Sequence, residues 1–256
     1  MKHSPRILVW ALSRLLTIPA FGQTEVVPLV GKNVVKFNLT STALSHYAIQ
    51  YEYVTNPRQS VGFGFGISPD VALPFKDNLL DQFGDDDDAR RAIESTRFTK
   101  YTFTPEYRFY VGKKSAPEGF YVATFMRYTH MSMSQVYSFT TSAGKLHTPV
   151  VDGTFNGFGA GAMIGTQWLF GKTKNLALDL WIVGPFAGIM KAKFHGTDDM
   201  SDMTQQDKID LKEDIESIEI PLWTTEATIG NNEIDVDMNG PFYGVRMLGL
   251  SFGVRF

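Results

Sequence analysis

Apolar residues alternate with polar or small ones over most of the chain, with the period of two that marks a strand with one greasy face. In PFYGVRMLGLSFGVRF, Pro241 to Phe256, the even positions Leu248, Leu250, Phe252, Val254 and Phe256 are apolar, while Gly249, Ser251, Gly253 and Arg255 are small or polar. The same alternation predicts strands over Asn33 to Ala43, Tyr47 to Thr55, Gln59 to Ile67, Arg97 to Val111, Phe120 to about Thr141, Gly153 to Phe170 and Leu176 to about Phe194. The clearest is RFTKYTFTPEYRFYV, Arg97 to Val111, where Tyr101, Phe103, Pro105, Tyr107 and Phe109 share one face and Lys100, Thr102, Thr104, Glu106 and Arg108 the other. Glycines stripe the inner face at Gly62, Gly64 and Gly66, and again at Gly157, Gly159, Gly161 and Gly165. Such stripes leave room for bulky side chains from across a narrow interior. In Leu176 to Phe194 the pattern assigns Leu178, Leu180, Ile182 and Phe186 outward and Asp179 and Trp181 inward.

The connections alternate in length. Asn56-Pro57-Arg58, Gly112 to Gly119 and Gly171 to Asn175 are short turns, whereas Ser68 to Thr96, Ser142 to Asp152 and Lys193 to Asn232 are long excursions. Short helices are expected at Phe75 to Phe83 and Thr204 to Glu216. Long loops gathered at one end predict an all-β fold, an eight-stranded antiparallel up-and-down transmembrane β-barrel with long extracellular loops carrying short helices. A soluble sandwich has no reason to segregate its loops in this way. Ile218, Ile220, Leu222 and Thr228 to Val236, around Asn231-Asn232, offer a further hairpin, which would make ten strands. The even apolar row resumes at Ile234, Val236 and Met238, so the last strand is expected to start there.

At the other end, Lys2, His3 and Arg6 precede the apolar run Ile7 to Ala20. This reads as a secretory signal peptide over 1–22, leaving 23–256 as an outer-membrane domain. The chain has no cysteine, which excludes disulfides, thiol catalysis and cysteine-ligated zinc. Its 24 Lys and Arg against 27 Asp and Glu give a net charge of -3, which becomes about -6 once Lys2, Arg6 and Arg14 leave with the leader. A nucleic-acid partner would require the opposite sign and is not expected.

TPEYRFYVGKK, Thr104 to Lys114, followed by Gly119-Phe120-Tyr121, together with AIQYEY at Ala48 to Tyr53 and the Gly-Val-Arg-Phe ending, resembles the domain of unknown function 3575 family of small Bacteroidetes-type outer-membrane barrels. The resemblance covers nearly all of the chain after the leader. It implies an eight-stranded barrel of the OmpA/OmpX kind and brings no catalytic machinery. The terminal strand also resembles those of bacterial outer-membrane barrels, which implies that Phe256 is the assembly signal read by the barrel assembly machinery. The remaining partners expected are outer-membrane lipids and lipopolysaccharide, and an extracellular ligand taken by the loops.

Collecting the inward charges gives Lys36, Glu52, Glu106, Arg108, Arg127, Asp179 and Arg255. Eight strands enclose a space just wide enough for side chains to fill, so these charges are expected to neutralise one another as a plug. The alternative is a narrow pore for ions or small solutes. A lipid-modifying enzyme would need a rim nucleophile and base, and His130 with Ser132 and Ser134 is the nearest arrangement; it has no readable acid partner or oxyanion donor, so no catalytic residue is expected. The acidic runs at Asp85 to Asp88 and at Asp198, Asp199 and Asp202 lack calcium-loop spacing, so neither metal nor cofactor is expected. The function expected is that of a structural or surface-interaction barrel with a filled interior.

Overall fold

A computed structural model describes residues 31–256 apart from 74–75, 84–86 and 219. The expected signal peptide lies outside the described residues. The elements run β1 (Asn33–Asn38), α1 (Leu39–Thr42), β2 (Tyr47–Asn56), β3 (Gln59–Ala72), α2 (Lys76–Phe83), α3 (Asp87–Ser95), β4 (Arg97–Val111) and β5 (Gly119–Val136). They continue with the short β6 (Phe139–Thr140) and β7 (Leu146–His147), then β8 (Val150–Phe170), β9 (Leu176–Thr197), α4 (Gln205–Glu216), β10 (Thr224–Ile229) and β11 (Glu233–Arg255).

The fold is all-β, built on one large antiparallel sheet in the order β1-β2-β3-β4-β5-β8-β9-β11-β10. β1 also pairs with β11, from Val34 opposite Arg255 to Asn38 opposite Ser251, so the pairing comes full circle as a ring. β10 lies outside that circuit and pairs with Ile234 to Asn239 of β11. The hairpin expected around Asn231-Asn232 therefore forms, with Thr224–Ile229 as its first arm.

Strand one is shorter than the alternation predicts. The Asn38 side chain accepts a hydrogen bond from the Ser41 amide at 2.8 Å and so caps α1. An asparagine that satisfies the first free amides of a helix ends the strand behind it. The alternation also breaks inside β9. Ile164 pairs with Val183 and Gly165 with Trp181, which leaves Ile182 as an extra residue opposite β8. Leu248, with φ of 34°, takes the matching place in β11. One extra residue sends every side chain beyond it to the opposite face, because the period is two. Phe186, expected outside, therefore points inward onto Phe125 and Phe242. For the same reason Ile234, Val236 and Met238 do not continue the outer row of Leu248 to Phe256.

Ile234 and Val236 instead support a small second core over one end of the ring. Met200, Met203, Leu211 and Ile234 are buried together, with Tyr137, Phe139, Ile215, Ile229 and Val236 against them. Thr204 caps α4 in a reciprocal box with Asp207, and the Asp207 carboxylate also accepts from the Ser142 amide at 3.1 Å, tying the helix to the β6–β7 hairpin. Hydrogen bonds from Ser142 and Thr204 hold the Asp207 carboxyl well below the usual carboxylate range. A lowered folded-state value adds stability above the unfolded value of roughly 4, and that stability is lost as pH falls through the folded one. Cleavage in 198–217 by an acid protease is therefore expected to accelerate on acidification, and Asp207→Asn is expected to remove that pH dependence. Thr204→Ala is expected to destabilise the segment by about 1 kcal/mol, read as faster trypsin cleavage at neutral pH.

Candidate functional site

The middle of the ring is occupied by a cluster of ionised side chains whose charged groups are fully buried. Lys36 of β1 donates to Glu52 of β2 at 2.6 Å, to Gln167 of β8 at 2.7 Å and to Asp179 of β9 at 2.7 Å, which uses all three ammonium hydrogens. Arg108 of β4 donates from Nη1 to Asp179 at 2.8 Å, from Nη2 to Gln50 at 3.2 Å and from Nε to Glu106. Glu52 further accepts from the hydroxyls of Ser60 and Tyr110, and Asp179 from the hydroxyl of Tyr121 at 2.8 Å. The guanidinium of Arg108 also lies over the Tyr121 ring, 4.2 Å from its centre.

The period of two delivers these residues. In β4 the buried positions are Phe98, Thr102, Thr104, Glu106, Arg108 and Tyr110, all of one parity. Space for them comes from the glycine stripes. A Cβ on Gly62 would stand 2.9 Å from Glu106 Cγ, and one on Gly165 would clash with the Tyr121 hydroxyl. Glu52 and Asp179 each accept from several donors, Glu106 accepts from Gln50 and Arg108 through Oε1 alone, and the three ammonium hydrogens of Lys36 are all used, so the arrangement joins strands. Burying ions costs several kcal/mol each unless their bonds are met, and here most are met, with Glu106 Oε2 left without a hydrogen bond.

Of the seven inward charges, Lys36, Glu52, Glu106, Arg108 and Asp179 meet in this cluster. Arg255 stands apart at the turn end, where its Nε donates to the Gly31 carbonyl at 2.9 Å. Arg127 lies on the other side of the cluster, toward the long loops, with no acid against it among the described residues. Phe256 sits at the closure. It exchanges backbone hydrogen bonds of 3.0 and 2.9 Å with Asn33, and its ring is exposed on the outer face. Gln50, Ser60, Tyr110, Tyr121 and Gln167 belong to the cluster too; a search for charges alone passes over them, although their parity is inward. Arg246 escapes for another reason. Its even number groups it with the outer row, and only the Leu248 irregularity turns it inward, where its guanidinium lies 4.1 Å from the Trp181 ring centre and 3.8 Å from Glu106 Oε2.

Residues 14–211 match the family model described as protein of unknown function (DUF3575). The chain belongs to the DUF3575 family. The matched span contains all five clustered charges of the ring, while Arg246, Arg255 and Phe256 follow it. No curated protein and no solved structure matches this DUF3575 chain.

Above the cluster, toward the long loops, lies a cavity of about 330 Å³ lined among others by His46, Gln50, Arg127, Trp181, Arg246 and Ser251. His46 bonds Ser68 Oγ at 3.0 Å, and its burial, with Lys100 and Arg127 near, pushes its imidazole down to about 4. Farther out, His130 bonds Asn156 at 2.9 Å and stacks on Tyr101, and among the described residues it has no bond to Ser132 or Ser134. Of the loop aspartates, Asp198 bonds His147 at 2.8 Å, Asp199 accepts from Ser201 and Asp202 pairs with Lys145 at 3.1 Å, while the side chains of Asp85 to Asp88 lie outside those described.

Proposed function

We propose that this DUF3575 protein is an eight-stranded β-barrel of the outer membrane, plugged by its ion cluster, whose role is structural or a matter of surface interaction. The observation that carries the reading is the outer face of the ring. Tyr101, Phe103, Phe109 and Val111 of β4 stand exposed beside Phe63 and Phe65 of β3, Phe120, Val122, Met126 and Tyr128 of β5, and Phe158, Trp168 and Phe170 of β8. Contiguous apolar patches of more than a few hundred Å² are rare on soluble monomers. Crossing a bilayer takes about 9–11 residues of tilted strand, the length from Tyr101 to Val111. No helix of the described residues is long and apolar enough to cross a membrane, which leaves crossing by strands unaffected.

A buried, cross-linked ion cluster across the middle of a narrow barrel blocks conduction, so a plug is favoured over a pore. The small core built by α4, β10 and the β6–β7 hairpin gives the loop end a defined surface for an extracellular ligand. No catalysis is assigned, since His130 is engaged by Asn156. In purified form the protein is expected to show heat-modifiable electrophoretic mobility, and in vesicles its strands are expected to resist protease. Absence of both would defeat the membrane reading. Planar bilayer recordings are expected to show no discrete conductance. Steps from the parent protein that change in Glu52→Gln would favour the pore instead.

A further inference from the structure

The circuit of strand pairing is interrupted near the loop end. β11 pairs with β9 from Glu233 to Val254, but on its other edge it meets β1 only from Ser251 to Arg255 and β10 only from Ile234 to Asn239. Among the described residues no strand pairs with that edge between Gly240 and Leu250. The Leu250 amide donates instead to Thr40 Oγ1 at 3.1 Å. The break follows from the capping role of Asn38, which turns the chain into α1 just where β1 would have continued beside β11.

Unpaired backbone is excluded from hydrocarbon, because nothing there meets its hydrogen bonds. Counting about 9–11 residues back from Phe256 ends the crossing at Arg246 to Leu248, inside the unpaired stretch, where lipid headgroups begin. The lip of this gap is apolar: Leu44, Tyr243, Met247 and Leu248 are all more than half exposed. Behind the lip lies the cavity of about 330 Å³, at the small end of the usual range for ligand pockets.

Its lining carries two arginines against a single acid. Arg127 has no hydrogen-bond or ion-pair partner among the described residues, and the one acid that Arg246 meets among them is Glu106, at 3.8 Å, while its Nη1 donates to Met163 Sδ at 3.5 Å. Glu106 is the one acid in the lining; its Oε1 is taken by Arg108 and Gln50, and its Oε2 has no hydrogen bond. Two further polar groups of the lining are buried without partners, the Ser251 hydroxyl, on a residue 1% exposed, and the Trp181 indole N–H. Buried donors and cations without acceptors are costly, so a site built this way favours an anionic guest.

We propose that the cavity holds the phosphodiester headgroup of a membrane phospholipid, admitted sideways between β11 and α1. The phosphate sits against Arg127 and Arg246, the headgroup ammonium or hydroxyl donates to Glu106 Oε2, and the acyl chains lie along Met247 and Leu248. This inference rests on the membrane-barrel reading.

The test uses the full protein in a maltoside detergent, with short-chain phosphatidylethanolamine, diacylglycerol of the same chains and inorganic phosphate as separate probes. Native mass spectrometry and calorimetry are expected to show one phosphatidylethanolamine bound per barrel, weaker binding of phosphate and none of diacylglycerol. Arg127→Gln and Arg246→Gln are each expected to weaken the lipid about tenfold, as for loss of one charge-assisted contact. A photoactivatable phosphatidylethanolamine on the unaltered protein is expected to label Tyr243 to Gly249 and α1. Phosphate binding as tightly as the lipid, lipid affinity unchanged in the double variant, or labels confined to other faces would overturn the proposal. Heat-modifiable mobility is read on the same samples: if it persists while lipid binding is absent, only this inference falls, and if it is absent both readings fall.

Discussion

Glu52→Ala is expected to lower unfolding stability by about 3–5 kcal/mol, the usual cost of removing one partner from a buried ion pair. The residue accepts hydrogen bonds from Lys36, Arg108, Ser60 and Tyr110, and its charged group is completely buried. Its loss leaves Lys36 with Asp179 as its one anion, shared with Arg108, which keeps Glu106 besides. The cost is therefore one of stranded charge more than of lost attraction, and it is expected to shrink when a cation leaves as well. Lys36→Met combined with Glu52→Leu removes one charge of each sign, leaves Arg108 paired with both Asp179 and Glu106, and is expected to recover most of the stability. Urea unfolding in vesicles, followed by tryptophan fluorescence, checks both. A single variant as stable as the parent would mean that water reaches the cluster and screens it. A double variant no better than the single would mean that the strands are held by the specific bonds.

How far the sequence discloses the molecule depends on how locally each feature is encoded. β4 matches its predicted bounds because its alternation is unbroken, and the turns at Asn56-Pro57-Arg58 and Gly171 to Asn175 mark their own ends. The helices α2 and α4 are legible from composition, with Thr204 and Asp207 supplying the cap of α4, whereas α1 and α3 are not expected from the sequence. Five of the seven charges collected by parity meet in the cluster, because parity alone carries them inward. Register irregularities escape this kind of reading. Ile182 and Leu248 have ordinary strand residues on either side, and nothing local announces that the face changes there. Phe186 is misplaced for this reason, and Arg246 goes unnoticed. The early end of β1 has a similar origin: Asn38 alternates correctly as a strand residue, and the competing claim of its side chain on the Ser41 amide appears only once α1 is seen.

The seam between β1 and β11 supplies the other large effect, and Gly253→Ala is expected to oppose closure of the ring. A Cβ at Gly253 would stand 2.0 Å from the Val35 carbonyl oxygen and 2.7 Å from Lys36 Cα, both backbone atoms that cannot turn aside. Overpacking ordinarily costs about 1–3 kcal/mol when side chains can shift, so a clash with two backbone atoms belongs at or beyond the upper end. The pairing it disturbs runs only from Val34 to Asn38, and the edges it would release meet no other strand there. Gly64→Ala is the matched control from another glycine stripe, where the nearest atom would be the Thr104 carbonyl oxygen at 3.5 Å, an ordinary contact. It is expected to change stability by less than about 1 kcal/mol. Deleting Phe256 removes its two backbone hydrogen bonds to Asn33 and is expected to fall between the two variants. The fraction of each protein that keeps heat-modifiable mobility after refolding ranks them. Parent-like mobility and urea midpoint in Gly253→Ala would mean that β1 and β11 are not held at this separation, and the ring would then have to close through another pair of edges.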